Sequence, residues 1–177
     1  MQAQQSSKSL TIAAPRDFTA KWLAPRLAAY GRTDPELRFA LVAADESLDF
    51  TEANLDLAIR YGKGGGEHES ICLSEGAMVM VEAPEGGGDT MIAWPGCEGM
   101  EGMASLRVAD AGLAIEAAAN GFGRACVPHL LAEADIAAGR VRATDNAKPS
   151  ENAYWLVAPL PQWRQKKVRA IVEALSG

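Results

Sequence analysis

The 177-residue chain contains no apolar run approaching ~18 residues, so no segment is suited to cross a membrane as a helix. Its first residues, MQAQQSSKSL, lack the apolar centre of a secretory signal and read as a short disordered lead over residues 1–8. Cysteine is scarce: Cys72, Cys97 and Cys126 are odd in number, form no CxxC pair and have no histidine at a metal-ligand spacing. They read as buried reduced thiols of a cytoplasmic protein, with no cofactor or metal implied. The two histidines, His68 and His129, stand apart from each other and from any serine, cysteine or aspartate arranged as a triad. With no nucleophile and no paired acid and base, an enzyme is not expected. Positive charge is also short. Seventeen Lys and Arg face 23 Asp and Glu, for a net charge of −6, without a basic domain. Tight non-specific binding to nucleic acid is therefore excluded, because that affinity comes from cations neutralising phosphates. There is no internal repeat and no low-complexity tract.

What is present is an alternation of strands and helices. SLTIAAP (9–15) is a β-rich run ended by Pro15. Phe18, Trp22, Leu23, Leu27 and Tyr30 then recur at helical spacing, with Pro25 inside the pattern set to bend the helix or delay its regular part. LRFALVAA (37–44) is almost continuously apolar, as in a parallel strand covered on both faces. Residues 49–54 suit a short helix and 56–60 a third strand, which together begin a doubly wound α/β domain. Further strands are expected at 77–84, 90–96, 122–128 and 153–159, the last of them central, with a loop at 97–103. Helices are expected at 110–121, capped by Asp110, at 129–139 and along the C-terminal stretch. In that last helix Arg164, Lys166, Lys167 and Arg169 read as a solvated face.

The strongest late strands bracket a middle block with strands and helices of its own. That order implies two α/β lobes, 9–80 plus 155–177 and 81–154, joined by two strand-like crossings with a cleft between them. Ligands in such folds lie at strand C-terminal ends and helix N-termini. The stretch NLDLAIRYGKGGG (54–66) runs a strand into a glycine-rich turn, but it lacks the G-x-x-x-x-G-K-[S/T] spacing of a phosphate loop.

Three stretches carry a family likeness: LTIAAPRDFTAKWLAPRLAAYGRTDPELRFAL, DFTEANLDLAIRYGKG and VADAGLAIEAAANGFGRACVPHLLAEADIAAGRVR. From about residue 9 to the C-terminal helix the chain resembles the effector-binding domain of LysR-type transcriptional regulators, most nearly the glycine-cleavage-activator-like subgroup. The resemblance implies the two-lobed periplasmic-binding-protein type II fold, with mixed sheets flanked by helices and two crossover strands. It further implies a small-molecule effector in the cleft and transcription regulation as the role. A homodimer is implied through the helix at 17–30, the strand at 37–42 and the helix at 112–120, with the Ala-rich face AIEAAA allowing close approach. The family reads DNA with an N-terminal helix-turn-helix; here the chain begins almost at the first sensor strand, so DNA contact is expected only through that missing part. Pro84 to Leu106 is shorter than is common in the family, which implies a trimmed second lobe. A solute-binding protein of similar fold is the alternative.

An organic anion is the effector expected. The start of the first helix, Arg16, Asp17, Phe18 and Thr19, offers backbone N–H groups and a hydroxyl where orphan donors and helix dipole point the same way. For Asp17 and Thr19 ordinary capping is the competing role. Arg60 either grips the effector's acid group or pairs with Asp49 or Asp56, and Tyr61 lies beside it at the strand end. Asp110 is an N-cap that faces the same region. Phe122, Gly123 and Arg124 open the strand from the second lobe, and the glycines after Gly62 form a flexible cleft edge.

Overall fold

The computed structural model describes residues 8–44, 49–51, 53–97 and 104–177. They form two compact units. One holds the chain from its start to Thr19 with Leu23–Glu75 and Asn152–Gly177; the other holds Ala20–Trp22 and Gly76–Glu151.

The first unit is built on a mixed sheet of five strands, which neighbour one another in the order β2 (Arg38–Ala43), β1 (Ser9–Ala14), β3 (Leu57–Gly62), β11 (Ala153–Ala158) and β4 (Glu69–Cys72). The first three are parallel, and β11 runs antiparallel to both β3 and β4. Ala153, Tyr154, Leu156, Val157 and Ala158 are all buried, which explains why this apolar strand takes a central place. Residues 38–43 are equally apolar but lie at the sheet edge, with Leu41 and Val42 exposed. The expectation of cover on both faces is thus corrected: an unbroken apolar run does not distinguish a central strand from an exposed edge.

After β1, Pro15 turns the chain into α1 (Arg16–Phe18), a single π-helical turn (Thr19–Leu23) and α2 (Ala24–Gly31). Pro25 has no N–H for the carbonyl four residues back, and Ala24 N–H instead reaches Thr19 O. The wide turn before the proline is the delay that the sequence implied. The helix expected at 49–54 is absent among its described residues. They make turns, Ala53 N–H to Asp49 O at 3.0 Å and Leu55 N–H to Phe50 O at 2.9 Å, ended by Asn54 at a left-handed φ of 52°. Two further helices, α5 (Leu160–Trp163) and α6 (Lys166–Ser176), close the unit, and α6 buries Val168, Ile171, Val172 and Leu175. Its basic face is not wholly solvated: Lys167 Nζ holds Asp56 Oδ1 at 3.1 Å and Ser9 O at 2.8 Å.

The second unit is a mixed sheet in the order β10 (Lys148–Pro149), β5 (Ala77–Glu82), β8 (Arg124–Pro128), β6 (Met91–Ala93) and β7 (Ala104–Arg107), with β9 (Arg142–Ala143) also on β5. Val79, Val81, Ile92, Ala125 and Val127 are buried, as are Ala114, Ile115 and Ala118 of α3 (Ala111–Ala119) and Leu131 of α4 (His129–Ala137). Ala111, Ala114, Ala117 and Ala118 of α3 therefore pack inside their own unit, while Ala119 is half-buried and Leu113 is the exposed large apolar residue of that helix. Beyond Cys97, the loop expected at 97–103 lies outside the described residues. No helix of the described residues is long and apolar enough to cross a membrane.

Candidate functional site

In the first unit, α1 is fastened to the sheet by aromatic rings. Register sets Tyr61 of β3 opposite Tyr154 of β11, and their rings lie 4.7 Å apart. The Phe18 ring also lies 4.7 Å from that of Tyr154, tilted by 31°. Phe18 has no exposed surface, and its side chain anchors the helix start. The amide of Thr19 bonds Pro15 O at 3.0 Å, and the amide of Phe18 takes Asp17 Oδ1 at 2.8 Å. Those donors are thus used within the turn. The half-buried hydroxyl of Thr19 has no hydrogen-bond partner among the described residues. Arg16 is exposed at the first position.

Arg60 does not join this group. Successive strand residues point to opposite faces, so Arg60 projects away from Tyr61, beside its cross-strand partner Trp155. It pairs with neither Asp49 nor Asp56 and makes no hydrogen bond or ion pair among the described residues. Asp56 instead accepts from Thr11 N–H at 2.8 Å and from Lys167. The glycines that follow are a fitted turn and not simply a loose edge. Trp155 Nε1–H donates to Gly62 O at 3.0 Å, and Gly65 is buried where a Cβ would stand 2.2 Å from Ser70 Cβ. Gly66, at φ +76°, lies under the Arg60 guanidinium: a Cβ there would meet Nη1 at 3.0 Å.

In the second unit the expected residues are held by carboxylates that the sequence did not single out. Glu82, only 3% exposed, accepts from Arg142 Nε at 2.9 Å and Nη2 at 2.7 Å through one oxygen. Its other oxygen takes Arg124 Nε and the Gly87 amide, both at 3.0 Å. The Arg142 bonds above all, then the Gly87 amide and Arg124, hold the Glu82 carboxyl at about 2, against the desolvation that opposes them. Arg124 is oriented by this bond, and its outer Nη groups carry no partner among the described residues. Gly123 is buried at φ +154°, where a Cβ would strike Thr90 O at 2.4 Å, and Phe122 is 57% exposed. Asp110 caps α3, its Oδ1 accepting from Leu113 N–H at 2.8 Å.

A second network joins Lys21 Nζ to Glu116 Oε1 at 2.5 Å and to Asp135 Oδ2 at 2.9 Å, and Arg140 to both carboxylates. Arg140, then Lys21, hold Glu116 at about 2, while Glu116 and Asp135 push the Arg140 guanidinium further up. Asp135, buried at a helix position spaced four from buried Leu131, was the legible sign of this network. His129 pairs with Glu133 at 3.4 Å, and His68 sits edge-on to Phe50; neither is bonded to a serine or cysteine. No group of three or more His, Cys, Asp or Glu among the described residues is arranged to hold a metal.

The LysR substrate binding domain family model matches residues 3–85 and 71–177. The HTH-type transcriptional activator AmpR of Rhodobacter capsulatus is 28% identical over 172 residues, 85% of this chain and 60% of that protein. The glycine cleavage system transcriptional activator homolog of Haemophilus influenzae is 24% identical over 187 residues, 91% of this chain and 62% of that protein. The chain thus spans less than two thirds of the length of either relative. Among solved structures, the effector domain of AmpR from Pseudomonas aeruginosa superposes with a TM-score of 0.74 at 24% identity, covering 96% of this chain and 93% of that one. The AmpR effector binding domain of Citrobacter freundii gives 0.76 at 19% identity, with 96% and 97% covered. These likenesses establish the fold, the periplasmic-binding-protein type II arrangement of two mixed sheets flanked by helices.

Proposed function

The chain belongs to the LysR substrate-binding-domain family, and from that premise we propose that it senses a small organic anion on behalf of a LysR-type transcriptional regulator. The observation that carries the proposal is the Thr19 hydroxyl, half-buried and without a partner among the described residues, on a helix start fixed by Phe18 and Tyr154. A rigid platform of this kind loses little on binding, because its geometry is set before the ligand arrives. Arg16, Asp17 and Tyr61 are the first unit's further contacts in this reading; Asp110, Phe122, Gly123 and the outer amines of Arg124 make up the second unit's share. The effector is held in the cleft that the family likeness implies. The role is binding and not catalysis, and its output is a shift between conformational states, worth about 1–3 kcal/mol of coupling in regulators generally.

Self-association belongs to the same proposal. The exposed apolar edge of β2 in one copy meets a second copy, and the exposed Leu113 contributes to self-association. DNA is read through a helix-turn-helix of the longer regulator.

The test is a thermal-shift screen of small carboxylates, followed by calorimetry on Thr19→Val. This substitution keeps the shape and removes the hydroxyl, so it should cost about 1.5–3 kcal/mol, the range for a hydrogen bond to a charged partner. If no carboxylate stabilises the protein, or Thr19→Val binds the hit as tightly as the parent, the reading fails.

A further inference from the structure

Four cations among the described residues are half-buried: Lys21, Arg60, Arg124 and Lys167. Three of them hold carboxylates, Lys21 those of Glu116 and Asp135, Arg124 that of Glu82, and Lys167 that of Asp56. Arg60 holds none. Partly burying a guanidinium without an acceptor forgoes the pairing that ordinarily offsets its desolvation.

The backbone beside Arg60 has the same imbalance. The amides of Gly64, Gly65, Gly66 and Glu67 donate no hydrogen bond among the described residues. Gly65 is buried, and Gly66 takes a left-handed φ against the Arg60 guanidinium. Consecutive amides around a left-handed residue form a concavity suited to an anion.

The molecule contains a filled version of this arrangement. The other glycine-rich turn, at 85–89, follows a strand ending in Glu82, whose carboxylate accepts the Gly87 amide together with two arginines. In the first unit the side chain that reaches the turn is that of Arg60, two residues before the strand ends at Gly62, and it has five donors and no acceptor. Donors therefore face donors across Gly66, and nothing among the described residues completes the set.

We propose that Arg60 and the amides of Gly65, Gly66 and Glu67 form an oxyanion site, sized for one carboxylate or phosphate group of a small molecule. The planar fork of Arg60 gives two parallel bonds to such a group, and the glycine amides cap its remaining oxygen. The site lies on the sheet face opposite Phe18, Thr19 and Tyr61, so it is separate from the effector platform proposed above. The only carboxylate on the turn itself is that of exposed Glu67, on the same loop as exposed Lys63. Glu69 lies next along, with its side chain on the other face from Ser70.

The experiment is a proton–nitrogen NMR titration of the whole chain with sodium phosphate and, separately, with sodium acetate, sodium chloride holding ionic strength constant. Saturable shifts at the amides of residues 64–67 and at Arg60 Nε–H are expected, and the anion that saturates first identifies the group preferred. Arg60→Gln should weaken that anion about tenfold or more, and Arg60→Lys, which keeps the charge but loses the fork, should weaken it by less. Arg60 has no partner to lose, so both variants should keep the parent's circular dichroism. Thr19→Val should leave the titration unchanged, which separates failure here from failure of the effector reading. Shifts that do not saturate by about 50 mM with either anion, or an affinity that survives Arg60→Gln, would overturn the proposal.

Discussion

Alanine at Gly65 and alanine at Gly66 are one atom each on adjacent residues, yet the structure predicts unequal costs for different reasons. At Gly65 the new methyl would lie 2.2 Å from Ser70 Cβ, 2.4 Å from Ser70 Oγ and 3.2 Å from Val157 Cγ1. A Cβ cannot rotate away as a side-chain tip can, so relief requires β4 or the turn itself to move. Overpacking of this kind costs about 1–3 kcal/mol. At Gly66 the methyl meets only Arg60 Nη1, the end of a long side chain, at 3.0 Å. There the penalty is the left-handed φ of 76°, about 1 kcal/mol. For a chain of this size each kcal/mol lowers the melting temperature by about 2–4 °C, so Gly65→Ala should melt ~2–12 °C below the parent and Gly66→Ala ~2–4 °C. Ser70→Gly removes both of the shortest contacts, and in the double variant it should recover more than half of the Gly65→Ala loss, a coupling that only direct contact produces. Thermal unfolding followed by circular dichroism measures the parent and all four variants. The reasoning is refuted if Gly66→Ala proves the worse substitution, or if Ser70→Gly and Gly65→Ala simply add.

Acid should unfold the protein through its second unit. Glu82 and Glu116 are each held at about 2 from an ordinary 4.5, so the stability they contribute is whole above pH ~4.5 and drains as pH falls toward 2. Melting temperatures taken from pH 6 down to about 2.5 should fall through that window, and Glu82→Gln should flatten the decline; a flat parent curve would contradict the assignment. At the β2 edge, Leu41→Arg should leave the circular dichroism of the chain intact and reduce its mass by light scattering from dimer to monomer. A parent that is monomeric at every concentration would count against that interface.

Much of the fold was readable where local chemistry and long-range packing agree. The helix at 110–121 carries its own start in Asp110, whose carboxylate caps Leu113, and its own stop in Asn120-Gly121, with Gly121 at φ 89°. The apolar runs at 77–82, 124–128 and 153–158 are strands because both of their faces, or one face and a neighbour, are buried. The strands that went unread have no such autonomy. β9 and β10 are two residues each and exist only by pairing with β5, and β7 offers just Leu106 as an apolar residue of size. Their positions are dictated by partners far away in sequence, which periodicity cannot report.

The site was less legible. Arg60 and Tyr61 are adjacent in a strand, so their side chains leave it on opposite faces. That inference needs only the period of a strand. The ion pairs are a different matter. Glu82 meets Arg124 and Arg142 across 42 and 60 residues, and Lys21 meets Glu116 across 95. No local pattern encodes such pairings, so Arg124 looked like an unattached cation when its Nε was already held. The two glycine-rich turns, GKGGG and EGGGD, show where the boundary lies. Both are rich in glycine, but the last charged residue of each preceding strand differs in sign: Glu82 accepts the Gly87 amide, while Arg60 donates and leaves its loop's amides unclaimed among the described residues. The sign of the last charged side chain in a strand is visible in any sequence. Read together with the hydrogen-bonding capacity of the loop behind it, that sign tells whether the turn is satisfied within the chain or open to an acceptor from outside.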